Sequence, residues 1–280
     1  TIRIARLSLQ MARAISDHQI EAFSLSFLVL FNLLLGSMEE GGSLLEQSVA
    51  IYGALGDKIG QADAFYWLSV NGDDKERAID FSRESLRLYR ELGHLSGITR
   101  NLTTLALSTI WSGDFSSPAP WLEEAVSIAR QIGEQTSECD ALASLGMLGY
   151  WQGDYGRAIT CYSEAVLLSE KLGYRYRSLW AHVFMAYAIF RQGDIHQARE
   201  MFEECIRSAQ KAGLMMAVVF AVEGVASLNV NQGQTERATV LFAWTDVTRE
   251  KIGDTRPSVE QALVEKDLAV IHSKINDLEF

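Results

Sequence analysis

Glycine recurs at a fixed spacing of 40 residues over the second half of the sequence, and this spacing constrains the fold more than any other feature. One series marks a turn between two helical patterns, and the other marks the end of the second pattern. The turn glycines are Gly113, Gly153, Gly193 and Gly233, and the stop glycines are Gly133, Gly173, Gly213 and Gly253. A fixed period in this range is typical of a solenoid of stacked units, each packing only on its neighbours. The sequence therefore predicts one elongated body of helical hairpins.

The repeating unit is clearest in residues 151–173. Asp154 follows the turn glycine, where a carboxylate can accept hydrogen bonds from the free N–H groups of the second helix. The glycine at the end of the unit supplies a left-handed C-terminal cap. Gly146 on the first helix and Ala158 on the second are small. We therefore expect the paired helices to approach closely, with the ring of Tyr162 filling the space beside them.

The register divides the chain into six full units with a shorter piece at each end. The units cover residues 17–56, 57–93, 94–133, 134–173, 174–213 and 214–253; residues 1–16 are the second helix of a truncated repeat, and residues 254–280 are a C-terminal capping helix. The first unit is degenerate, with Gly36-Ser37 as its turn. The second is three residues short, which shortens its first helix, and its turn at residues 71–74 is irregular. In the third, Pro118 predicts a distorted start of the second helix, and the capping helix has the sequence position of a first helix with no second helix after it.

The composition argues against several classes of function. A net charge of −11 without a basic cluster disfavours binding to nucleic acid or to an anionic membrane surface. The most apolar run, residues 23–35, is too short and too polar to span a membrane. Three cysteines without a close metal-binding spacing favour a reduced, cytoplasmic setting. The sequence opens inside a helical pattern, which we interpret as the beginning of a piece of a longer protein.

The histidines and cysteines provide no pattern for a cofactor. The five histidines are scattered over unrelated repeat positions, and no two have a metal-ligand spacing. His182 replaces an apolar packing residue, so we expect a buried, hydrogen-bonded side chain there. No serine or cysteine has a histidine and an acid arranged nearby as a nucleophilic site requires. The sequence therefore predicts no metal, no cofactor and no enzymatic activity.

The fourth unit follows a longer consensus. Its residues are Leu142, Leu145, Gly146, Gly153, Asp154, Tyr155, Ala158, Tyr162 and Ala165. This pattern resembles the tetratricopeptide repeat family in its long, 40-residue form. The resemblance extends over essentially the whole chain and is strongest in the last four units. It implies an all-α fold, a right-handed superhelix (an α-solenoid) of about fourteen helices.

A narrower resemblance lies in residues 237–253 and at Pro257. Residues 237–244, Arg-Ala-Thr-Val-Leu-Phe-Ala-Trp, and residues 249–253, Arg-Glu-Lys-Ile-Gly, are similar to the end of the repeat region in MalT-like and LuxR-type bacterial signal-transduction ATPases. In these regulators an NTPase module precedes the repeats and a DNA-binding module often follows. The present sequence contains no phosphate-binding glycine loop. The resemblance implies that this segment is the sensor or interaction arm of a larger regulator.

The first helices line an inner, concave face in the family that the sequence resembles. Counting back from each turn glycine predicts aromatic side chains and one arginine on this face: Trp111, Tyr150, Trp151, Trp180, Tyr187, Phe190, Arg191 and Phe220. An exposed aromatic channel would be a recognition surface for a peptide or an apolar ligand. The alternative is that a tightly wound superhelix buries these rings between successive units.

On the rim of this face, Arg175 and Arg177 alternate with tyrosines and could hold an anionic group or a base. A solvated helix start with stacked side chains is the more ordinary interpretation of the same residues.

Two functions remain open from the sequence. The first is a non-catalytic binding arm that holds a protein, a peptide or a small apolar signal in its groove. The second is a scaffold or oligomerisation module with a closed groove, in which the outer surface makes the contacts and self-association is an option. An enzyme comes a distant third, because no constellation of residues supports one.

Overall fold

The computed structural model describes residues 2–34, 41–71 and 75–278, and within these ranges the secondary structure is helical, with no strand. The helices are α1 Ile2–Ala14, α2 His18–Leu34, α3 Gly41–Leu55, α4 Lys58–Asn71, α5 Lys75–Glu91, α6 Leu95–Trp111, α7 Ala119–Ile132, α8 Gln135–Gln152, α9 Tyr155–Lys171, α10 Arg175–Gln192, α11 Ile195–Ala212, α12 Met215–Asn231, α13 Thr235–Ile252 and α14 Ser258–Leu278. The predicted all-α fold of tetratricopeptide-type helical hairpins is confirmed. In the described part of the chain, every helix is too short or too polar to cross a membrane.

The chain divides into two compact units. The N-terminal unit consists of Thr1–Thr109 and Pro120–Ser137, and the C-terminal unit consists of Ile110–Ala119 and Glu138–Phe280. Both are built from antiparallel helical hairpins, in which the first helix of a repeat is followed through a tight turn by the second. That the repeats form a single domain remains a prediction.

The predicted stop glycines lie where helices end. Gly213, for example, has φ 71°, and its N–H bonds back to carbonyls of the last turn of α11. A side chain at that φ would be strained, so glycine ends the helix at little conformational cost. The stops are Gly56, Gly93, Gly133, Gly173, Gly213 and Gly253, and each follows the last residue of a helix by one or two positions. The register predicted from the glycine spacing is confirmed.

The aspartates after the turn glycines cap the second helices. Asp154 Oδ1 accepts a hydrogen bond from the backbone N–H of Arg157 at 3.0 Å, and Asp194 accepts the equivalent bond from Gln197 at 2.9 Å. Such a cap satisfies one of the free N–H groups of a helix start. The third repeat differs, because α7 begins only at Ala119, directly after Pro118. The predicted distorted start is therefore confirmed.

In several repeats, a glycine on a first helix lies against an aromatic ring on a second helix. A Cβ atom added at Gly146 would lie 2.9 Å from the ring of Tyr162. The same conflict would arise between Gly224 and the ring of Phe202. A methyl group at either position would push the ring out of its buried site, because interiors are close-packed. The predicted close approach of paired helices is confirmed.

Two features of the first two repeats were predicted from their irregular sequences. Helix α4 has 14 residues, whereas α6 has 17 and α8 has 18, which agrees with the shortened first helix. The predicted turn at Gly36-Ser37, and residues 72–74 of the next predicted turn, lie outside the described residues.

Helix α14 does not stack behind α13 as a further first helix would. At its N-terminal end, Val259 Cγ1 lies 3.9 Å from the position that a Cβ of Gly113 would occupy, although Gly113 belongs to a turn several repeats earlier. Near its C-terminal end, Lys274 Nζ lies 3.4 Å from the equivalent position at Gly233. The sequence position of α14 thus suggests a first helix, but the tertiary structure lays it across several repeats. A helix stacked at the end of a solenoid would contact only its neighbouring repeat.

Candidate functional site

A cavity in the C-terminal unit is bordered by α8, α10, α12 and α14. It contains about 540 Å³ of empty space, part of it open to solvent. Met147, Tyr187 and Ser227 border it from one shared repeat position, 40 residues apart on three successive first helices. The repeat register therefore brings one side chain from each of three helices to the same wall.

Helix α14 forms the opposite wall. Glu260, Leu263 and Val264 from its N-terminal half border the cavity. Further along the helix, the hydroxyl of Ser227 donates a hydrogen bond of 2.5 Å to Asp267 Oδ2, which attaches α14 to α12. Burial raises the pKa of the Asp267 carboxyl, and its bond from Ser227 opposes that shift. The cavity thus lies between α14 and the first helices α8, α10 and α12.

The structure brings together most of the residues predicted for the inner face. Those that border the cavity are Tyr150, Trp151, Tyr187, Arg191 and Phe220. Trp180 lies beside them, with its ring 5.2 Å from Phe220 and 5.9 Å from Phe184. Phe190 is buried in the hydrophobic core of α10–α12. Trp111 is half-buried and does not border the cavity. The proposed binding role of all of these residues stays a prediction.

The two tyrosines of the cavity are fixed by hydrogen bonds. The hydroxyl of Tyr187 donates to the carbonyl oxygen of Phe220 at 2.7 Å, and its ring meets the edge of Phe202 at 4.9 Å. The hydroxyl of Tyr150 accepts a bond of 3.3 Å from Arg191 Nε. Burial raises the pKa of both phenols, so they stay neutral at ordinary pH. These contacts give the cavity a pre-formed apolar wall.

Trp151 is held by a residue that the sequence did not indicate. Its ring stacks on Phe115 with a centroid distance of 5.7 Å and an interplanar angle of 4°. Gln152 Nε2 in turn donates to the Phe115 carbonyl at 2.6 Å. The irregular segment before α7 therefore helps to position the cavity. The displaced start of α7 at Pro118 was the one sequence signal for this arrangement.

A buried group of charges lies next to the cavity. Glu223, on α12, bonds Arg249 Nε at 3.0 Å and Nη2 at 2.9 Å, and accepts from Arg256 Nη2 at 2.6 Å. Arg249 also pairs with Asp254, and Arg256 pairs with Asp246 at 2.7 Å. The side chains of Glu223 and both arginines are less than a tenth exposed. Paired in this way, the charges join α12, α13 and the segment before α14.

Glu260 is the remaining acid of this group and was not predicted as a site residue. It is 9% exposed, and its Oε2 is buried without a hydrogen-bond partner. Burial raises the pKa of its carboxyl to about 8; Arg249 opposes this shift and Glu223 adds to it. Glu260 stands three residues after Pro257 in the sequence. Its position in the first turn of α14, a helix with many polar residues, gives no sequence signal of burial.

One of the two predicted rim arginines is engaged within the protein. Arg177 forms a two-pronged ion pair with Asp140, in which Nη2 and Oδ2 are 2.9 Å apart and Nε contacts Oδ1. Its guanidinium also lies 5.4 Å from the ring centroid of Tyr174. Arg175 is exposed at the start of α10. The rim therefore does not present two unpaired guanidiniums to an anion.

The histidine and cysteine side chains have ordinary structural environments. His182 Nδ1 lies 2.8 Å from the carbonyl oxygen of Ser178, and the side chain is half-buried, as the predicted hydrogen-bonded histidine requires. Burial raises the pKa of the Cys205 thiol to about 12, which keeps it protonated. In the ranges that the structure describes, no three metal-ligating side chains converge.

Comparison with known proteins identifies the repeat type. Residues 137–211 match the sequence model of the family described as tetratricopeptide repeat. No curated protein matches the chain in sequence.

Solved structures extend the likeness beyond the matched repeats. A Rap protein in complex with Competence and Sporulation Factor superposes with a TM-score of 0.72 at 14% identity, over 96% of this chain and 79% of that one. Aspartyl phosphate phosphatase F from Bacillus subtilis gives 0.72 at 15% identity, over 96% and 70%. A signal transduction ATPase with numerous domains and a tetratricopeptide repeat sensor, from Pyrococcus horikoshii, gives 0.67 at 15% identity; it is matched over 94% of this chain, which spans 40% of that protein.

At these identities the structural likeness concerns the fold alone. The fold is that of tetratricopeptide-type helical repeats, and residues 137–211 carry the sequence signature of that family.

Proposed function

We propose that this chain is a non-catalytic binding module that holds a peptide segment of a partner protein on the inner face of α8, α10 and α12. One observation carries this proposal: side chains from three consecutive repeats, at matching helix positions, border a single cavity. A concave, mostly apolar surface with a few fixed polar groups is the usual form of a binding site. Aromatic side chains at the centre of such a surface commonly provide most of the binding energy.

The similar proteins support the same class of function. One of them is a Rap protein whose structure contains Competence and Sporulation Factor, and another is a signal transduction ATPase whose repeats are described as a sensor. We infer that the present chain likewise serves as the sensor arm of a larger bacterial regulator in the cytoplasm, without a cofactor and without contacting nucleic acid itself. A small apolar signal in place of a peptide would use the same cavity.

Selection from a library of random peptides displayed on phage tests the proposal. Trp151→Ala removes a ring that borders the cavity, so it should weaken the selected peptides about tenfold or more. Trp244→Ala removes a ring that is 42% exposed on α13, away from the cavity, and should leave these affinities unchanged. Equal binding to both variants would refute the inner-face site, provided that circular dichroism shows both to be folded.

A second function is favoured by the outer surface of α13. Val240, Trp244 and Val247 are 69%, 42% and 49% exposed and lie on one face of this helix. Exposed apolar side chains at this spacing are typical of a contact between helices. The alternative function is therefore a scaffold that self-associates through α13. Sedimentation velocity decides between them: an oligomer that dissociates in Trp244→Ala supports the scaffold, and a monomer at all concentrations excludes it.

A further inference from the structure

Glu260 is a carboxylic acid in a buried position, where ionisation of its carboxyl is energetically unfavourable. Its side chain borders the cavity of the C-terminal unit, is 9% exposed, and leaves Oε2 without a hydrogen-bond donor. A buried carboxylate without a donor or a cation is unfavourable by several kcal/mol, so such groups normally have a partner or bind a proton. The protein therefore contains an unfilled position for a donor at this wall.

The two arginines nearby do not fill that position. Arg249 directs Nε and Nη2 to Glu223 and Nη1 to Asp254. Arg256 directs its Nη2 to Glu223 and to Asp246, and its Nη1 to Gln261. The two guanidinium groups are thus already paired with three carboxylates, those of Glu223, Asp246 and Asp254. Glu260 is a fourth carboxyl in the same group. When Glu260 is ionised, the group carries excess negative charge, which a cation from outside would balance.

Aromatic rings face the same cavity as Glu260. Trp151, Phe184 and Phe220 border it together with the two neutral tyrosines of α8 and α10. The face of an aromatic ring attracts a cation, and the attraction grows when water is excluded. An acid beside several rings is a combination that suits an ammonium or guanidinium group on an apolar stem.

Arg191 is a cation that also borders the cavity, and its position is compatible with a cationic ligand. Arg191 is exposed at the C-terminal end of α10, where its Nε donates to Tyr150. It therefore belongs to the solvent side of the site, whereas Glu260 belongs to the buried side.

We infer that the cavity accepts a lysine or arginine side chain of the bound peptide, with the cation on the Glu260 carboxylate and the stem against the rings of α8, α10 and α12. This inference rests on the proposed function and specifies its ligand. The empty site keeps a proton on Glu260 below pH 8, because burial raises its pKa to about 8. Binding of the cation would release that proton to solvent.

Proton release makes the inferred affinity depend on pH. The charges that act on Glu260 are Arg249 from α13, Glu223 from α12, and Asp254 and Arg256 from the segment before α14. Arg191 also borders the cavity, and its guanidinium and those of Arg249 and Arg256 stay protonated over the whole ordinary pH range, because the pKa of each is raised. Affinity for a lysine peptide should therefore rise about tenfold per pH unit over that range and level off near pH 8.

The experiment uses three forms of the full 280-residue chain in parallel: the native protein, Glu260→Gln and Glu265→Gln. Glu260→Gln keeps the shape of the side chain and replaces the ionisable carboxyl by a neutral amide. Glu265→Gln removes the same charge from an exposed position one turn further along α14 and is the matched control. Each form selects peptides from the phage-displayed library, and cavity binding is defined by loss of affinity in Trp151→Ala. Lysine or arginine should be enriched at one peptide position with the native protein and with Glu265→Gln, but not with Glu260→Gln.

Calorimetry on the best synthetic peptide completes the test. Replacing its enriched lysine by norleucine should weaken binding to the native protein about tenfold or more, and binding to Glu260→Gln less than about twofold. Heats measured in phosphate and in Tris should reveal about one proton released per peptide near pH 6.5, and none with Glu260→Gln.

The outcomes separate the two proposals. Peptides that need Trp151 but show no preference for lysine or arginine overturn the inference and leave the proposed function intact. A preference that persists in Glu260→Gln overturns the assignment to this carboxyl. If no peptide depends on Trp151, the proposed function fails, and the inference fails with it.

Discussion

One repeat position carries opposite chemistry in two pairs of adjacent first helices, one pair in each unit of the chain. The sixth residue of the first helix is Asp63 in α4 and Arg100 in α6, and these two side chains form an ion pair of 2.8 Å in the N-terminal unit. In α10 and α12 of the C-terminal unit the sixth residues are Trp180 and Phe220, and their rings meet edge to face at 5.2 Å. In both units the partners belong to adjacent repeats. The backbone of the repeat therefore determines which positions are in contact, and the side chains determine whether that contact is an ion pair or an aromatic one.

The two pairs have different surroundings. Arg100 Nη2 bonds Asp63 and the hydroxyl of Tyr89, each at 2.8 Å, and its guanidinium lies 4.3 Å from the ring centroid of Tyr66. Asp63 and Arg100 are thus paired with each other within the N-terminal unit. In the C-terminal unit the rings continue into a cavity, where Glu260 Oε2 has no partner.

The largest effect should come from the ninth residue of the first helix, which is Glu223 in α12 and Thr103 in α6. Glu223→Ala would leave Arg249 and Arg256 buried without their shared partner, so the free energy of unfolding should fall by about 3–5 kcal/mol. Thr103 bonds only the carbonyl of Thr99, and Thr103→Ala should cost about 1 kcal/mol or less. Urea unfolding followed by circular dichroism measures both. Equal losses would mean that the ion cluster contributes nothing specific.

The second effect is a dependence of stability on pH that involves Glu260. Its pKa is raised from 4.5 to about 8 in the folded protein, so folding retains a proton that the unfolded chain releases. Stability from this group is complete below about pH 4.5 and is lost as the pH rises towards 8. Between about pH 5.5 and 8.5 the loss should be about 3 kcal/mol.

Glu260→Gln should flatten this dependence, and Glu265→Gln should not. Both are measured by urea unfolding at each pH, as differences from the native protein. If the native protein and Glu260→Gln change in parallel with pH, the buried carboxyl is not the source of the effect.

A third test compares the stability contributions of the two pairs formed by sixth residues, Trp180–Phe220 and Asp63–Arg100. Trp180 packs on Phe184 and Phe220, and Trp180→Ala should lower the free energy of unfolding by about 2–3 kcal/mol. The Asp63–Arg100 side chains are 45% and 40% exposed, so Asp63→Ala should cost about 1 kcal/mol or less. Added salt should reduce only the loss of stability caused by Asp63→Ala, because screening weakens exposed ion pairs. A larger loss for Asp63→Ala would reverse the comparison.

The smallest expected effect concerns the hydroxyl of Tyr187. Tyr187→Phe removes its 2.7 Å bond to the Phe220 carbonyl but keeps the ring against Phe202. We expect a loss of about 1 kcal/mol. Affinity for peptides that use the cavity should change about twofold or less. A loss of binding as large as that of Trp151→Ala would show that the hydroxyl contacts the ligand.

The helices and their limits follow from the amino-acid sequence. The glycine stops, the Asp154 and Asp194 caps and the Gly146–Tyr162 contact depend on interactions within one hairpin or between neighbours at a constant spacing. Periodic patterns record such interactions, because the same environment recurs every 40 residues. The same register predicted that Tyr150, Trp151 and Tyr187 would share the inner face.

The residues that lie opposite those rings could not be predicted from the sequence, because they are brought there by long-range packing. The course of α14 along several repeats, the pairing of Glu223 with Arg249 and Arg256, and the burial of Glu260 join residues that occupy unrelated repeat positions. The sequence pattern of α14 is polar over much of its surface, which suits a helix at the end of a solenoid equally well. The position of α14 depends on long-range packing and on the mutual neutralisation of buried charges. These interactions form only in the assembled fold, so they leave no periodic pattern in the sequence.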